Sequence, residues 1–137
     1  MKKFKEPDYK KLAWKEFSKY IRLRDCLEST GSFEQGICFT CGKFYPFNKL
    51  QAGHFVPGRG NAVLFDEVGC RAQCVQCNIF KHGEQLLYRQ HLVNLYGEEV
   101  VKFLEAKRHM VVQRKKSDYI LIRKHYENEA RKLQAFS

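Results

Sequence analysis

The sequence lacks any hydrophobic run of the roughly 18 residues that a membrane-spanning helix requires. Its lysine-rich first residues lead into a charged pattern without an apolar leader segment. It also contains no internal repeat, low-complexity tract or interdomain linker, which argues against a repeat array or a chain of several domains. These absences predict a soluble, cytoplasmic protein with no membrane partner, folded as a single domain over residues 1–137.

Acidic residues are few compared with basic ones, 15 against 25, so the formal net charge is +10. Hydrophobic residues make up 44% of the chain, which argues against disorder despite this charge. The positive charge is concentrated in residues 1–34 and 107–132. Such a surface commonly binds phosphate polyanions, because each neutralised phosphate releases counterions. A solvated helix face explains the charge equally well, so charge alone leaves nucleic-acid binding open.

Hydrophobic spacing predicts helices in both halves of the chain. Residues 9–25 carry an apolar stripe after a possible N-cap at Asp8. A second long helix ends at Gly97, a shorter one opens at Glu98 and Glu99, and a last one begins near Ser117. The inward stripe predicted for the second long helix consists of Leu86, Leu87, His91, Leu92, Leu95 and Tyr96. The apolar face predicted for the last helix consists of Tyr119, Ile122, Tyr126, Ala130 and Leu133, and it would pack back on the chain or pair with a second copy in a homodimer.

Between these helices the pattern changes to short strands. Residues 37–57 contain two groups of β-forming residues around a Cys-x-x-Cys turn, and residues 58–68 indicate an ordered loop over the sheet. The predicted fold class is α+β. Residues 1–34 form a basic helical N-terminus, residues 35–97 form a metal-containing core, and residues 98–137 form a helical extension.

Six cysteines are present, and four form two Cys-x-x-Cys pairs separated by 32 residues, Cys38/Cys41 and Cys74/Cys77. Each pair places two thiolates on one tight turn, so two turns can close a tetrahedral structural Zn²⁺ site. Two disulfides and a redox Cys-x-x-Cys are the alternatives, but neither a secretory signal nor a βαβ pattern supports them. Cys26 and Cys70 have no partner at ligand spacing and are expected to be small buried hydrophobes.

A histidine lies between the two cysteine pairs and an asparagine directly follows the second. A zinc site would bring His54, leaving a strand, close to Asn78, starting a helix. Hydrolysis of a phosphodiester requires a general base near neutral pKa and a divalent cation at the phosphate. Histidine suits the first task, and oxygen ligands suit a hard cation.

In this order, the motifs resemble the HNH, or ββα-metal, nucleases, and within them the phage recombination endonucleases called NinG or Rap. The resemblance rests on CFTCGK, QAGHF, RGNAVLFDE, AQCVQCN and GEQLLYRQHLVNLYG, and covers about residues 10–107. It implies a ββα-metal core in which His54 is the general base and Asn78 a ligand of a catalytic Mg²⁺ or Mn²⁺. It also implies that the four cysteines hold structural zinc, that the substrate is branched DNA such as Holliday junctions and displacement loops, and that the protein acts in the cytoplasm of a bacterial host.

The sequence departs from the HNH pattern at Gly53, where many members carry an Asp or His that binds the metal. Asp66 and His82 are the candidates for the missing ligand, His82 because it would share a helical face with Asn78. A second departure is Gly69-Cys70, where many members carry an Asn that braces the loop. Four cations near the site are candidates for gripping DNA, namely Lys43, Arg59, Arg71 and Lys81.

Because Gly53 has no metal-binding side chain, a non-catalytic function is an alternative. A zinc-dependent protein that only binds nucleic acid would keep the fold and the charge without the chemistry. A zinc domain that binds other proteins, with basic tails that aid solubility, is the second alternative. The sequence favours the metal-dependent endonuclease, because His54, Asn78 and the two cysteine pairs occur together in the order that this chemistry needs.

Overall fold

The structure is a computed structural model that describes residues 5–57 and 62–136, and it mixes helices with small sheets. The helices of this part of the chain are α1 (Tyr9–Thr30), α2 (Gln85–Tyr96), α3 (Glu98–Ala106) and α4 (Lys116–Ala135). The strands are β1 (Gln35–Ile37), β2 (Phe44–Pro46), β3 (Leu50–His54) and β4 (Cys70–Cys74). A π-helical turn, Gln76–Phe80, follows β4.

Helix α1 begins as the sequence predicts and ends later. Asp8 is its N-cap, with Oδ1 accepting a hydrogen bond from the Lys11 amide at 3.0 Å. The helix continues past residue 25 to Gly31, where a φ of 75° in the left-handed region ends it and the glycine amide donates to the Leu27 carbonyl. Cys26 is fully buried in the added turn, so this turn belongs to the packed part of the helix.

The strands form two antiparallel hairpins. β1 pairs with β2, and β3 pairs with β4 so that Gly53 faces Arg71 and His54 faces Cys70. The sequence did not predict β4, whose residues are all buried. Because its polar residues are buried on one face and its apolar ones on the other, alternation along β4 does not distinguish an inner face from a solvent face.

The β3–β4 hairpin lies between two layers of helix. One face packs against α1 through two buried clusters, which contain Phe17, Ile21, Ala52, Cys70 and Tyr126, and Cys26, Leu50 and Ala72. A further cluster joins the segments that follow β3 to α2 and α3 and contains Phe55, Val56, Val63, Tyr88, Leu92, Val101 and Leu104. The hairpin therefore holds its side chains in a fixed position between α1 and α2.

Of the stripe predicted for α2, only Leu92 is buried. Tyr88 and Leu92 are its buried residues, whereas Leu86 is 88% exposed and Leu95 is 59% exposed. The Tyr88 hydroxyl donates to the Gly53 carbonyl at 2.6 Å, and this contact orients the helix on the hairpin. Several faces of α2 carry apolar residues, so the sequence pattern could not identify the one that packs.

Helix α4 packs back on α1. Tyr126 and Ala130 are buried on the predicted face, and the Tyr126 ring meets the Phe17 ring edge-on at 4.8 Å. The N-cap is Lys115 instead of Ser117, because the Lys115 amide donates to Asp118 Oδ2 at 2.7 Å. Packing against α1 accounts for this apolar face, so a homodimer stays a prediction. Among the described helices, none is long and apolar enough to cross a membrane.

Candidate functional site

The four cysteines of the two Cys-x-x-Cys pairs come together as their spacing predicts. Their sulfur atoms all lie within 4.8 Å of one another, and the Sγ atoms of Cys41 and Cys74 are 3.9 Å apart. Tetrahedral zinc with bonds of about 2.3 Å places its sulfur ligands roughly 3.8 Å apart, so the cluster fits this ion. Four cysteines are a donor set typical of structural zinc.

Local backbone geometry sets the two pairs in place. The first pair lies on a turn closed by hydrogen bonds from the Cys38 amide to the Lys43 carbonyl and from the Gly42 amide to the Cys38 carbonyl. In the second pair, Cys74 ends β4 and the Cys77 amide donates to the Cys74 sulfur at 3.4 Å. The Cys-x-x-Cys spacing therefore aims both sulfur atoms of each turn at one point.

The thiols of the cluster differ in acidity. Burial opposes ionisation of Cys38, but hydrogen bonds from the Cys41 amide and the Thr40 hydroxyl outweigh it and lower the pKa of Cys38 to about 6. Burial raises the pKa of Cys77 to about 12, and burial and the neighbouring Cys38 raise the pKa of Cys41. Without metal at neutral pH, Cys38 is therefore ionised while Cys41 and Cys77 are protonated, and metal binding must displace the protons of these two thiols.

Cys26 and Cys70 lie apart from the cluster, as the sequence predicts. Both are fully buried in the layer between α1 and the hairpin. Burial raises the pKa of Cys26 to about 11, so its thiol stays protonated and unreactive at neutral pH.

A pocket of about 350 Å³ is lined in part by Asn78 and Ile79, which directly follow the second cysteine pair. It brings together three residues that the sequence singled out, His54, Asn78 and His82. The other lining residues are Trp14, Ala52, Pro57, Ile79, Gly83 and Gln85. The pocket thus has one wall on α1, a floor on β3 and a second wall on the π-helical turn.

A hydrogen bond and a ring contact orient His54. Its Nε2 lies 3.0 Å from the Leu64 carbonyl oxygen, and because a carbonyl only accepts, Nε2 is the donor in this hydrogen bond. In the neutral ring the lone pair is then on Nδ1. The Trp14 ring stacks on the imidazole with centroids 5.0 Å apart and planes at 26°. The ring is therefore fixed in orientation, with Nδ1 as its basic nitrogen.

Asn78 is oriented by Gln51, which faces Gln73 in the hairpin. Asn78 Nδ2 donates to Gln51 Oε1 at 2.9 Å, so Asn78 Oδ1 is turned towards Gly53. His82 lines the same pocket, but it does not share a helical face with Asn78, because the π-helical turn ends at Phe80 and His82 has a φ of 52°. The reasoning that selected His82 is wrong, although the two side chains do adjoin one pocket.

The structure does not bring Asp66 to this pocket. Its Oδ1 accepts hydrogen bonds from the amides of Val68 and Gly69, both at 3.0 Å, and its Oδ2 pairs with Lys107 Nζ at 2.8 Å. Both oxygens are thus engaged in closing the loop that enters β4. The Asp66 carboxylate thus braces the loop at Gly69, which also packs against Leu104.

The four predicted DNA-gripping cations have different surroundings. The prediction for Arg71 is wrong, because this side chain is buried, pairs with Asp25 and Glu28, and bonds the Tyr96 hydroxyl. Lys43 and Lys81 are exposed, and Lys81 precedes the pocket residue His82. Arg59 lies outside the described residues.

Sequence reasoning missed three residues at the site, Trp14, Gln51 and Gln73. Trp14 belongs to a helical stripe that otherwise signals packing, and it is far from the motifs along the chain. Gln73 precedes Cys74 and is fully buried, which nothing in its neighbourhood indicates. These contacts depend on the pairing of β3 with β4 and on the docking of α1.

Known proteins place the chain in a phage family. Residues 1–135 match the model of a family described as the bacteriophage lambda NinG protein. Proteins described as protein ninG in Escherichia phage 933W and Enterobacteria phage VT2-Sa are each 34% identical over 70 residues, or 50% of this chain. The match spans 34% of the length of each relative, and no solved structure matches. The chain belongs to the NinG family of bacteriophage proteins.

Proposed function

We propose that the chain is a metal-dependent DNA endonuclease of the HNH, or ββα-metal, type that cuts branched DNA. The observation that carries the proposal is that His54 and Asn78 line one pocket, and that Asn78 directly follows the last residue of a four-cysteine cluster. His54 ends the first strand of an antiparallel hairpin, and Asn78 lies in the helical turn after the second strand. This hairpin followed by a helical turn has the element order of a ββα-metal core.

His54 is the proposed general base. Its Nδ1 would take a proton from the water that attacks phosphorus, while Leu64 and Trp14 keep the ring in place. With its proton on Nε2, the neutral ring already has its lone pair on Nδ1, so it does not need to change tautomer before the reaction. The four-cysteine zinc site would take no part in the chemistry and would hold the two sides of the pocket together.

Asn78 Oδ1 is the proposed ligand for a catalytic cation, with His82 beside it in the pocket. Neutral oxygen ligands fit Mg²⁺ or Mn²⁺, which usually keep several waters and bind substrate phosphates as well. When bound, such a cation would stabilise the negative charge on the phosphate and the leaving oxygen. Gln51 would keep the Asn78 oxygen, and not its amide nitrogen, turned towards the cation.

The net charge of +10 supports a nucleic-acid substrate. Lys81 and Lys43 are exposed, lie close to the motifs along the chain and would contact phosphates of the bound strand. Branched DNA as substrate, and action in the bacterial cytoplasm, follow from the resemblance to phage recombination endonucleases. The matched relatives are described only as protein ninG, so these statements belong to the proposal.

The test is cleavage of labelled linear, flapped and four-way DNA by zinc-loaded protein in Mg²⁺ or Mn²⁺, with EDTA as the metal control. Replacing His54→Ala should lower the cleavage rate by roughly 10²–10⁴-fold, the usual contribution of a general base. His109→Ala is the matched control, because His109 is exposed on the turn after α3 and should leave the rate unchanged.

Tight DNA binding by the parent protein with no cleavage in any of these metals would contradict the endonuclease. That result would instead identify a non-catalytic zinc-dependent nucleic-acid-binding protein. Such a protein would need no metal-binding side chain at position 53, where this chain has glycine. A His54→Ala protein that keeps zinc and DNA affinity but loses cleavage would support the enzyme.

A further inference from the structure

Gly53 stands where the HNH pattern places a metal-binding side chain, and the space beside it is filled from the neighbouring strand. A Cβ atom added at Gly53 would collide with Gln73 Oε1 and would lie 2.9 Å from Asn78 Oδ1. Two amide oxygens therefore converge on the point from which a side chain of residue 53 would start. Glycine is required there because any larger residue would displace them.

The orientation of the Gln73 amide is fixed by its own nitrogen. Nε2 donates to the Gly83 carbonyl at 3.0 Å and to the Thr40 hydroxyl at 3.1 Å. Because a carbonyl only accepts, the atom facing Gly83 must be the nitrogen, and Oε1 is the end that faces Gly53.

Gln73 Oε1 has no hydrogen-bond partner among the residues that the structure describes, although Gln73 is 0% exposed. A buried acceptor without a partner is unfavourable, and such atoms in native proteins usually mark a bound water, a bound ion or a functional role. The amide lies directly behind the pocket, because its neighbours Gly83 and Asn78 both line it.

We propose that Gln73 Oε1 and Asn78 Oδ1 together bind the divalent cation, with Gln73 supplying from β4 the ligand that Gly53 lacks on β3. This inference rests on the proposed function for the identity of the site and adds a residue to it. Two neutral oxygens bind a hard cation weakly by themselves, so tight binding requires the phosphates of DNA as further ligands. The cation would then be held firmly only when substrate is present.

The test follows Mn²⁺ binding to the zinc-loaded protein by NMR, through the paramagnetic broadening of side-chain NH₂ signals. In the parent protein, the signals of Gln73 and Asn78 should broaden at the lowest Mn²⁺ concentrations, before that of the exposed Gln90. Addition of a short DNA duplex should shift this broadening to lower Mn²⁺ concentration. Sharp Gln73 signals throughout would overturn the proposal.

Variants test the same point independently. Gln73→Leu and Gly53→Ala should each weaken Mn²⁺ affinity by roughly tenfold or more, measured on the Asn78 signal, with zinc content retained. Gln90→Leu is the matched control and should have no effect. A folded Gln73→Leu protein with parental Mn²⁺ affinity would show that Gln73 is not a ligand. Should Gln73→Leu fail to fold, the parent titration alone decides.

The outcome of the Mn²⁺ titration can be distinguished from the outcome of the DNA cleavage assay. If DNA is cut with a requirement for His54 while Mn²⁺ leaves the Gln73 signals sharp, the endonuclease stands and the role of Gln73 falls. If Gln73 and Asn78 bind Mn²⁺ in a protein that cuts no DNA, the cation site stands and the endonuclease falls. A direct hydrogen bond from Asn78 Nδ2 to Gln73 Oε1, detected by NMR in the presence of Mn²⁺, would also overturn the site.

Discussion

Asp25 is a buried charge that connects α1 to the hairpin. Its carboxylate accepts hydrogen bonds from Arg24 Nε at 2.9 Å, from Arg71 Nη1 at 3.2 Å and from the Ala72 amide at 2.7 Å. Arg71 is itself buried and depends on this carboxylate for charge compensation. The strand that carries Gln73 and Cys74 is thus fixed to α1 by an ion pair and by a hydrogen bond from the Ala72 amide to the Asp25 carboxylate.

Replacing Asp25→Ala should destabilise the protein by about 3–5 kcal/mol, because it removes the buried counter-charge of the buried Arg71 guanidinium and leaves only the largely exposed Glu28. Glu28→Ala removes the other partner of Arg71, which is largely exposed, and should cost at most about 1 kcal/mol. Urea denaturation of both zinc-loaded variants would measure the difference. Equal losses of unfolding free energy would show that Asp25 does not compensate Arg71.

At the level of single residues, the sequence predictions are correct where the spacing within a motif determines how its side chains are arranged. The Cys-x-x-Cys spacing predicted the four cysteines that cluster and could hold a metal, and the order of His54 and Asn78 around them predicted a shared pocket, which forms. Arg71 and Asp66 were misjudged because closeness to a motif along the chain does not reveal the partners of a side chain. Gln73 could not be predicted, since its role depends on facing Gly53 across the hairpin.

Among the secondary-structure elements, the two cysteine turns join the β1–β2 hairpin to the end of β4. Cys41 and Cys74 are 33 positions apart in the chain, so a bound zinc would close a long loop. Removing the metal leaves buried thiols in place of strong bonds. Zinc should therefore control the docking of one hairpin on the other.

Zinc affinity should rise with pH. At pH 7 the thiols of Cys41 and Cys77 are protonated, because their pKa values are raised, while Cys38 with a pKa of about 6 is already ionised. Zinc binding must then release a proton from each of Cys41 and Cys77, and below pH 6 from Cys38 as well. The logarithm of the affinity should thus increase by at least two units per pH unit near pH 7 and more steeply below pH 6.

Competition with a chelator across pH 5 to 8, or calorimetry in buffers of different ionisation enthalpy, would measure this proton release. A slope near zero around pH 7 would mean that Cys41 and Cys77 are already ionised in the metal-free protein. It would contradict the assignment of raised pKa values to these two thiols.

The helices were easier to predict than the strands. Capping by Asp8 and apolar spacing located α1, and the acidic start of α3 and the apolar face of α4 were also correct. The β4 strand was missed because both of its faces are buried. The face of α2 was only partly correct because apolar residues occur on several of its faces, and Leu92 is the member of the predicted stripe that is buried. The left-handed residues His82 and Glu84, with Gly83 between them, separate α2 from the turn that contains Asn78.

For the molecule as a whole, α1 is the central support. One side of it packs on the β3–β4 hairpin, another receives α4, and its Trp14 side chain forms a wall of the pocket. The C-terminal extension therefore acts on the pocket indirectly, by fixing the helix that holds the His54 ring. The predicted division into a core and two flanking helical segments does not express that the pocket depends on α1 and, through it, on α4. The single-domain assignment stays a prediction.

Tyr126→Ala should destabilise the protein by about 3–5 kcal/mol, because it removes a buried ring between α1 and α4. Tyr126→Phe loses only the hydrogen bond to Glu67 and should cost about 1 kcal/mol. Leu121→Ala on the exposed side of α4 is the control, since Leu121 is 65% exposed. Thermal and chemical unfolding would rank the three, and a Tyr126→Ala protein as stable as the control would show that α4 does not brace α1.

The shared space between Gly53 and Gln73 also has an evolutionary consequence. A side chain at position 53 and a glutamine amide at position 73 exclude each other, because both would occupy the same volume. In relatives of this chain the two positions should change together, with a larger residue at the first accompanied by a shorter one at the second. Each lineage would then supply the oxygen from one strand or the other, so two different sequences can build the same site.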